Sequence, residues 1–159
     1  MNTTTPGSNP HSTASIAGHP IHPMLIPFPV ASFVGALACD IAYKVSGDPF
    51  WPTASKWLLG VGIVMALIAA LAGLTDFLGD RRVRALSAAW QHMVGNLVLV
   101  VLEAFNLYIR IDDPADTIPP LGLTLSAVGV VLLLFNGWKG WEMVYRGRVG
   151  IADGVETRQ

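Results

Sequence analysis

Long runs of apolar residues, at 25–43, 57–78, 88–109 and 121–141, alternate with short connections built from turn residues and charges. Each run is long enough to cross a hydrocarbon layer of about 30 Å as a helix rising about 1.5 Å per residue. The breaks between them are Ser46-Gly47-Asp48-Pro49, the basic Gly79-Asp80-Arg81-Arg82-Val83-Arg84, and the acidic, proline-containing stretch from Asp112 to Pro120. Glycine and proline at these points stop helices. The pattern predicts an all-α, antiparallel, integral membrane four-helix bundle over residues 18–151. It also predicts a disordered polar tail over 1–17, rich in Ser, Thr, Pro and Asn, and a polar tail over 152–159. Between the first tail and the first span, Pro20, Pro23, Pro27 and Pro29 forbid a regular helix until the last of them can occupy a first turn. They push the preceding residues, His19 and His22 among them, toward extended geometry.

Composition agrees with the pattern: 52% of residues are hydrophobic, only 13% are charged, and mean hydropathy is +0.51. A soluble domain carries about twice that share of charge. The lipid bilayer is therefore the expected partner, and a net charge of -1 gives no basis for nucleic acid. The single cysteine, Cys39, sits in an apolar run and reads as a small hydrophobe. No phosphate-binding glycine loop and no nucleophile elbow is present, so the sequence gives no ground for assigning an enzyme.

Four antiparallel spans put both tails and the second connection on one side. Seven basic residues fall there (Arg81, Arg82, Arg84, Lys139, Arg146, Arg148, Arg158) and three on the other (Lys44, Lys56, Arg110). The positive-inside rule then predicts both termini in the cytoplasm. Trp51 and Trp57 on one side, with Trp90, Trp138 and Trp141 on the other, read as interface anchors. Gly62, Ala69 and Gly73 in the second span, and Gly122, Ser126, Gly129 and Gly140 in the fourth, form small-residue faces that predict close helix packing.

The same topology gathers His19, His22, Asp76, His92, Asn96, Glu142 and Tyr145 at the face of the termini. His92, Asn96, Glu103 and Asn106, spaced by four, seven and three residues, form one polar stripe on the third span. Imidazoles and carboxylates are the ligand types that transition metals prefer, and bundle interiors hold such sites. His22 and His92 are the leading candidate ligands for a metal ion or haem, with His19, Asp76 and Glu142 as further ligands or supporting groups. A second reading has these groups locking the bundle through hydrogen bonds, and a third has them carrying protons or solute. Asp40 and Glu103 lie toward the opposite face. There Lys44, one turn along the helix, is the expected partner of Asp40.

Gly18-His19-Pro20-Ile21-His22-Pro23-Met24-Leu25, Asp40, Ala72-Gly73-Leu74-Thr75-Asp76, His92 with Asn96, and the stretch Gly137 to Arg146 together resemble the DUF2231 family of small bacterial membrane proteins. The resemblance runs from about His19 to Ile151 and implies four spans in a bacterial inner membrane, with no established function. The family's fourth span often ends Gly-Glu-Leu-Val-Tyr-Arg-His-Gly. Here Trp141, before Glu142, stands where a glycine would be and Gly147-Arg148 replaces the His-Gly pair, which removes one candidate ligand. Some members are joined to iron-sulfur domains, which implies a redox or envelope-homeostasis setting. A non-catalytic subunit docking a redox or transport partner is the alternative.

Overall fold

The structure, a computed structural model, describes residues 8–153. Residues 1–7 of the polar tail and 154–159 at the other end, Arg158 included, lie outside the described residues. Among the described residues seven α-helices form: α1 (Ile21–Leu25), α2 (Pro27–Ser46), α3 (Phe50–Gly79), α4 (Arg81–Arg84), α5 (Ser87–Tyr108), α6 (Pro114–Thr117) and α7 (Leu123–Trp141). A two-residue hairpin, β1 (Ser15–Ile16) with β2 (His19–Pro20), precedes them. The segments with α2, α3, α5 and α7 are each long and apolar enough to cross a membrane.

Local chemistry sets the boundaries. Pro27 begins α2, where a missing N–H costs nothing, and Gly47 ends it in the left-handed conformation with its N–H on the Tyr43 carbonyl. Asp48 accepts a bond from Phe50 N at 2.9 Å and starts α3 seven residues earlier than the hydropathy pattern predicts. Asp113 caps α6 in the same manner through Ala115 N and Asp116 N. The region around His22 differs from the extended geometry expected before proline. α1 forms because Pro23 falls within a first turn, where no intrahelical donor is required.

The four long helices pack in a ring, α2 on α3, α3 on α5, α5 on α7 and α7 on α2, while the diagonal pairs scarcely touch. Phe33 and Ala36 of α2, Leu59 of α3 and Leu99 of α5 meet at the centre, with Leu132 and Leu133 of α7 against them. Nearer the termini, Phe77, Val83 and Ala89 form a second apolar cluster. Outward-facing Leu71, Val101, Val131 and Leu134 are mostly exposed, an arrangement that suits lipid and not water. The described part of the amino tail is not free, in contrast to the disorder expected through residue 17. Ser8 to Ala14 runs as a strap across the end of α3, and Asn9 bonds to Asp153, Ile151 and Ala152, so the two ends meet at one face.

Candidate functional site

Two polar assemblies occupy the bundle, a half-buried one toward the termini and a buried one toward the opposite face. In the first, His22 and His92 come together with ring centroids 6.0 Å apart and planes at 85°. Both imidazoles are held by one device. His22 Nδ1 donates to the Ala69 carbonyl at 2.7 Å, and His92 Nδ1 donates to the Asn136 carbonyl at 2.9 Å. In each case the residue four positions further along the accepting helix is glycine: Gly73 after Ala69, Gly140 after Asn136. Because each Cα–Cβ bond tilts toward the helix N-terminus, the side chain at that position ordinarily covers the carbonyl one turn back. Glycine leaves the carbonyl open. A Cβ on Gly73 would stand 2.9 Å from His22 Nδ1, and one on Gly140 would stand 3.4 Å from His92 Cε1. A carbonyl only accepts, so Nδ1 carries a proton in both rings, and in the neutral ring the lone pair is then on Nε2.

Neighbouring amides extend this assembly. Asn96 Nδ2 donates to the His92 carbonyl at 2.8 Å, and Asn136 Nδ2 donates to Asn96 Oδ1 at 3.3 Å. Asn136 Oδ1 lies against Gly95 and is the buried side-chain atom without a hydrogen bond among the described residues.

The other expected members of the terminal layer stand apart from the imidazoles. His19 is exposed, its Nδ1 on the Ala17 carbonyl at 3.1 Å. Asp76 is occupied by the strap, accepting from Ser12 Oγ at 2.9 Å and Ala14 N at 2.7 Å. Glu142 pairs with Lys139 at 3.1 Å and Arg146 at 3.3 Å. Tyr145 stacks on Trp141 with centroids 5.5 Å apart. Among the described residues no three His, Cys, Asp or Glu side chains converge as a metal site.

The second assembly was only half visible in sequence. Asp40 of α2 is paired not with Lys44 but with Arg110, which follows α5, and both side chains are fully buried. Arg110 Nη1 and Nη2 donate to Asp40 Oδ1 at 2.6 Å and Oδ2 at 2.8 Å, a two-pronged pair. Ser55 of α3 and Ser126 of α7 donate to the same carboxylate at 2.6 and 2.7 Å. Asn106 accepts from Arg110 Nε at 3.0 Å through Oδ1 and donates to Glu103 Oε2 at 3.0 Å through Nδ2. All four long segments thus contribute one polar group or more. Here too the small residues seat side chains: Gly122 lies under Arg110 and Gly129 under Glu103, while Gly62 receives Phe33. The expectation of plain helix-on-helix packing at these glycines gives way to that finding.

A ring of four apolar helices enclosing buried ionisable groups defines an integral membrane bundle of the kind that keeps its polar chemistry inside and shows hydrocarbon to the lipid. The chain belongs to the family described as predicted membrane protein (DUF2231), whose match covers residues 18–153. No curated protein and no solved structure gives a match.

Proposed function

We propose that His22 and His92 are the two protein ligands of a bis-imidazole metal centre, either haem iron or a two-coordinate transition-metal ion, within a membrane protein that serves redox or envelope homeostasis. The observation that carries this reading is the shared seating of the two rings. An imidazole that ligates metal almost always donates its other N–H to a carbonyl or carboxylate, which fixes the tautomer and aims Nε2. Both rings have that bond, from separate helices. With their centroids 6.0 Å apart, the two rings are near enough to each other for both to serve one centre, which would take an imidazole nitrogen from each. Among the described residues no third acidic, thiol or imidazole group converges on the two rings, so the reading is of a centre that takes two ligands from the protein. Haem iron does so because the porphyrin fills the other four. On this reading Asn96 and Asn136 position the rings, and the protein works as a carrier or electron-transfer element, not an enzyme.

The test is elemental analysis and an absorption spectrum of the purified protein beside a His22→Ala/His92→Ala variant. A Soret band lost in the variant identifies haem; stoichiometric metal without that band identifies an ion. Neither metal nor haem in the wild-type protein, including after loading with each, removes the proposal.

The side of the membrane belongs to the same reading. Removing the buried Arg110 from the loop charges sharpens the bias, leaving Lys44 and Lys56 against Arg81, Arg82, Arg84, Lys139, Arg146 and Arg148 among the described residues. That asymmetry supports both termini in the cytoplasm and placement in a bacterial inner membrane.

A further inference from the structure

Two carboxyl groups share the second assembly, and their surroundings are unequal. Asp40 accepts from Arg110 Nη1, Arg110 Nη2, Ser55 Oγ and Ser126 Oγ, so its oxygens are met by four donors and one full positive charge. Glu103 accepts from Asn106 Nδ2 alone, an uncharged donor. Nothing else in the network has a proton to spare. The guanidinium N–H groups go to Asp40, Ser55, Ser126 and Asn106, the two hydroxyl protons go to Asp40, and the second Asn106 N–H goes to Ser126. α2 brings Asp40 to this region with the Cys39 thiol next to it in the chain, and Arg110 stands at the end of α5, while the side chains that α3 and α7 contribute to these bonds are the neutral Ser55 and Ser126. One cation therefore stands against two carboxyls.

We propose that Glu103 is a proton-binding site inside the bundle, held as the neutral acid at neutral pH with the Asp40–Arg110 pair ionised beside it. An ionised carboxylate presents about four lone-pair positions and contributes no donor. One amide N–H does not replace the water that Glu103 gives up at 1% exposure. Binding a proton removes the charge and brings the assembly to electrical neutrality. The site also has a route of influence. Asn106 touches Glu103 with Nδ2 and Arg110 with Oδ1, so loss of the proton would set a second carboxylate in competition for the guanidinium that joins diagonal helices. Glu103 lies five residues from Tyr108, about 7.5 Å along the helix, so it is nearest the face opposite the termini. The inference does not depend on the imidazole centre.

The chain has three glutamates, Glu103, Glu142 and Glu156, which makes the test direct. Full-length protein in nanodiscs, with glutamate carrying carbon-13 at the side-chain carboxyl, is read by NMR at pH 7. One signal at the carboxylic-acid position beside two at the carboxylate position is expected, with the acid signal absent from Glu103→Gln. If that variant does not fold, Glu142→Gln and Glu156→Gln assign the signal by elimination. Three carboxylate signals overturn the proposal. So does an acid signal that survives in Glu103→Gln, or one carboxylate signal that shifts with sodium chloride but not with choline chloride, which would make Glu103 a cation ligand instead.

Discussion

Arg110 and Asp40 join opposite corners of the helix ring, their two N–H···O contacts of 2.6 and 2.8 Å tying α2 to the end of α5, two helices whose backbones scarcely approach each other. Removing one partner leaves an unpaired charge in a dry interior, at a cost of about 3–5 kcal/mol for a buried pair. Arg110→Ala and Asp40→Ala should each lower the unfolding temperature in detergent sharply. Replacing both with apolar residues of similar volume should restore most of the loss, because no orphan charge remains. Arg110→Lys should recover little, since an ammonium cannot make the parallel pair of bonds. A double replacement no more stable than the singles would show that the helices depend on this bond and not merely on avoiding its rupture.

Glycine at positions 73 and 140 makes a second expectation, and the two sites should behave differently. Within a helix, Gly→Ala gains about 1 kcal/mol from backbone entropy. At Gly140 the added methyl would meet His92 at 3.4 Å, an accommodated contact, so Gly140→Ala should be neutral or stabilising. At Gly73 it would stand 2.9 Å from His22 Nδ1 and displace the ring from the Ala69 carbonyl. Nitrogen-15 NMR of the imidazoles should show the Nδ1–H tautomer of His22 lost in Gly73→Ala and that of His92 kept in Gly140→Ala.

The strap makes a third. Ordering seven residues, Ser8 to Ala14, costs about 1–2 kcal/mol each in backbone entropy, so it stays docked only through the sum of its bonds. Asp76 receives those from Ser12 and Ala14, and hydrogen bonds to a charged group contribute about 1.5–3 kcal/mol each. Asp76→Ala should release the strap to limited proteolysis while leaving the melting of the bundle within a few degrees of wild type. Unchanged protease resistance would mean that the contacts at Asp80, Arg82 and Asp153 suffice.

How far the chain could be read in advance follows from the range of each signal. Span number, antiparallel order and the shared face of the termini come from hydropathy and turn residues, which are local. The stripe from His92 to Asn106 was visible at helical spacing. Its continuation to Arg110, four residues further, is hidden because the arginine falls just past the helix end and reads as a loop charge. The sequence offers Lys44 to Asp40 because i,i+4 pairs are the ones a sequence displays, whereas the partner in the structure lies 70 residues away. Topology put His22 and His92 on one face, but only lateral packing separates them from Asp76 and Glu142. The strap departs from the disorder its composition predicts because its stability resides in Asp76 and Asp80, more than 60 residues distant.

Charge also bears on which way the bundle sits. With Arg110 sequestered, a cytoplasm-active reporter fused after Gln159 should be active, and a reporter that works only outside the membrane should be active when inserted at Gly47. Inserting two lysines beside Gly47 should weaken that preference, since short-loop Lys and Arg set orientation. Activity in the opposite pattern would invert the assignment.

The last expectation concerns acid. Asp80 caps α4 through Arg82 N at 2.8 Å and holds the strap through His11 N at 3.2 Å. Hydrogen bonds from the Arg82 side chain are the main reason its carboxyl is lowered to about 2, with the backbone bonds and the positive charge adding to them and partial burial opposing. An undocked aspartate titrates near about 3.9. The free state therefore binds more protons between these values, and the contribution of Asp80 is complete above about pH 4 and lost as pH falls toward 2. In wild-type protein the His11 amide proton should titrate with an inflection near pH 2. Arg82→Ala should move that inflection up toward the ordinary aspartate value, and Asp80→Asn should abolish it. An inflection near pH 4 in the wild type would mean that Arg82 does not hold Asp80 in solution.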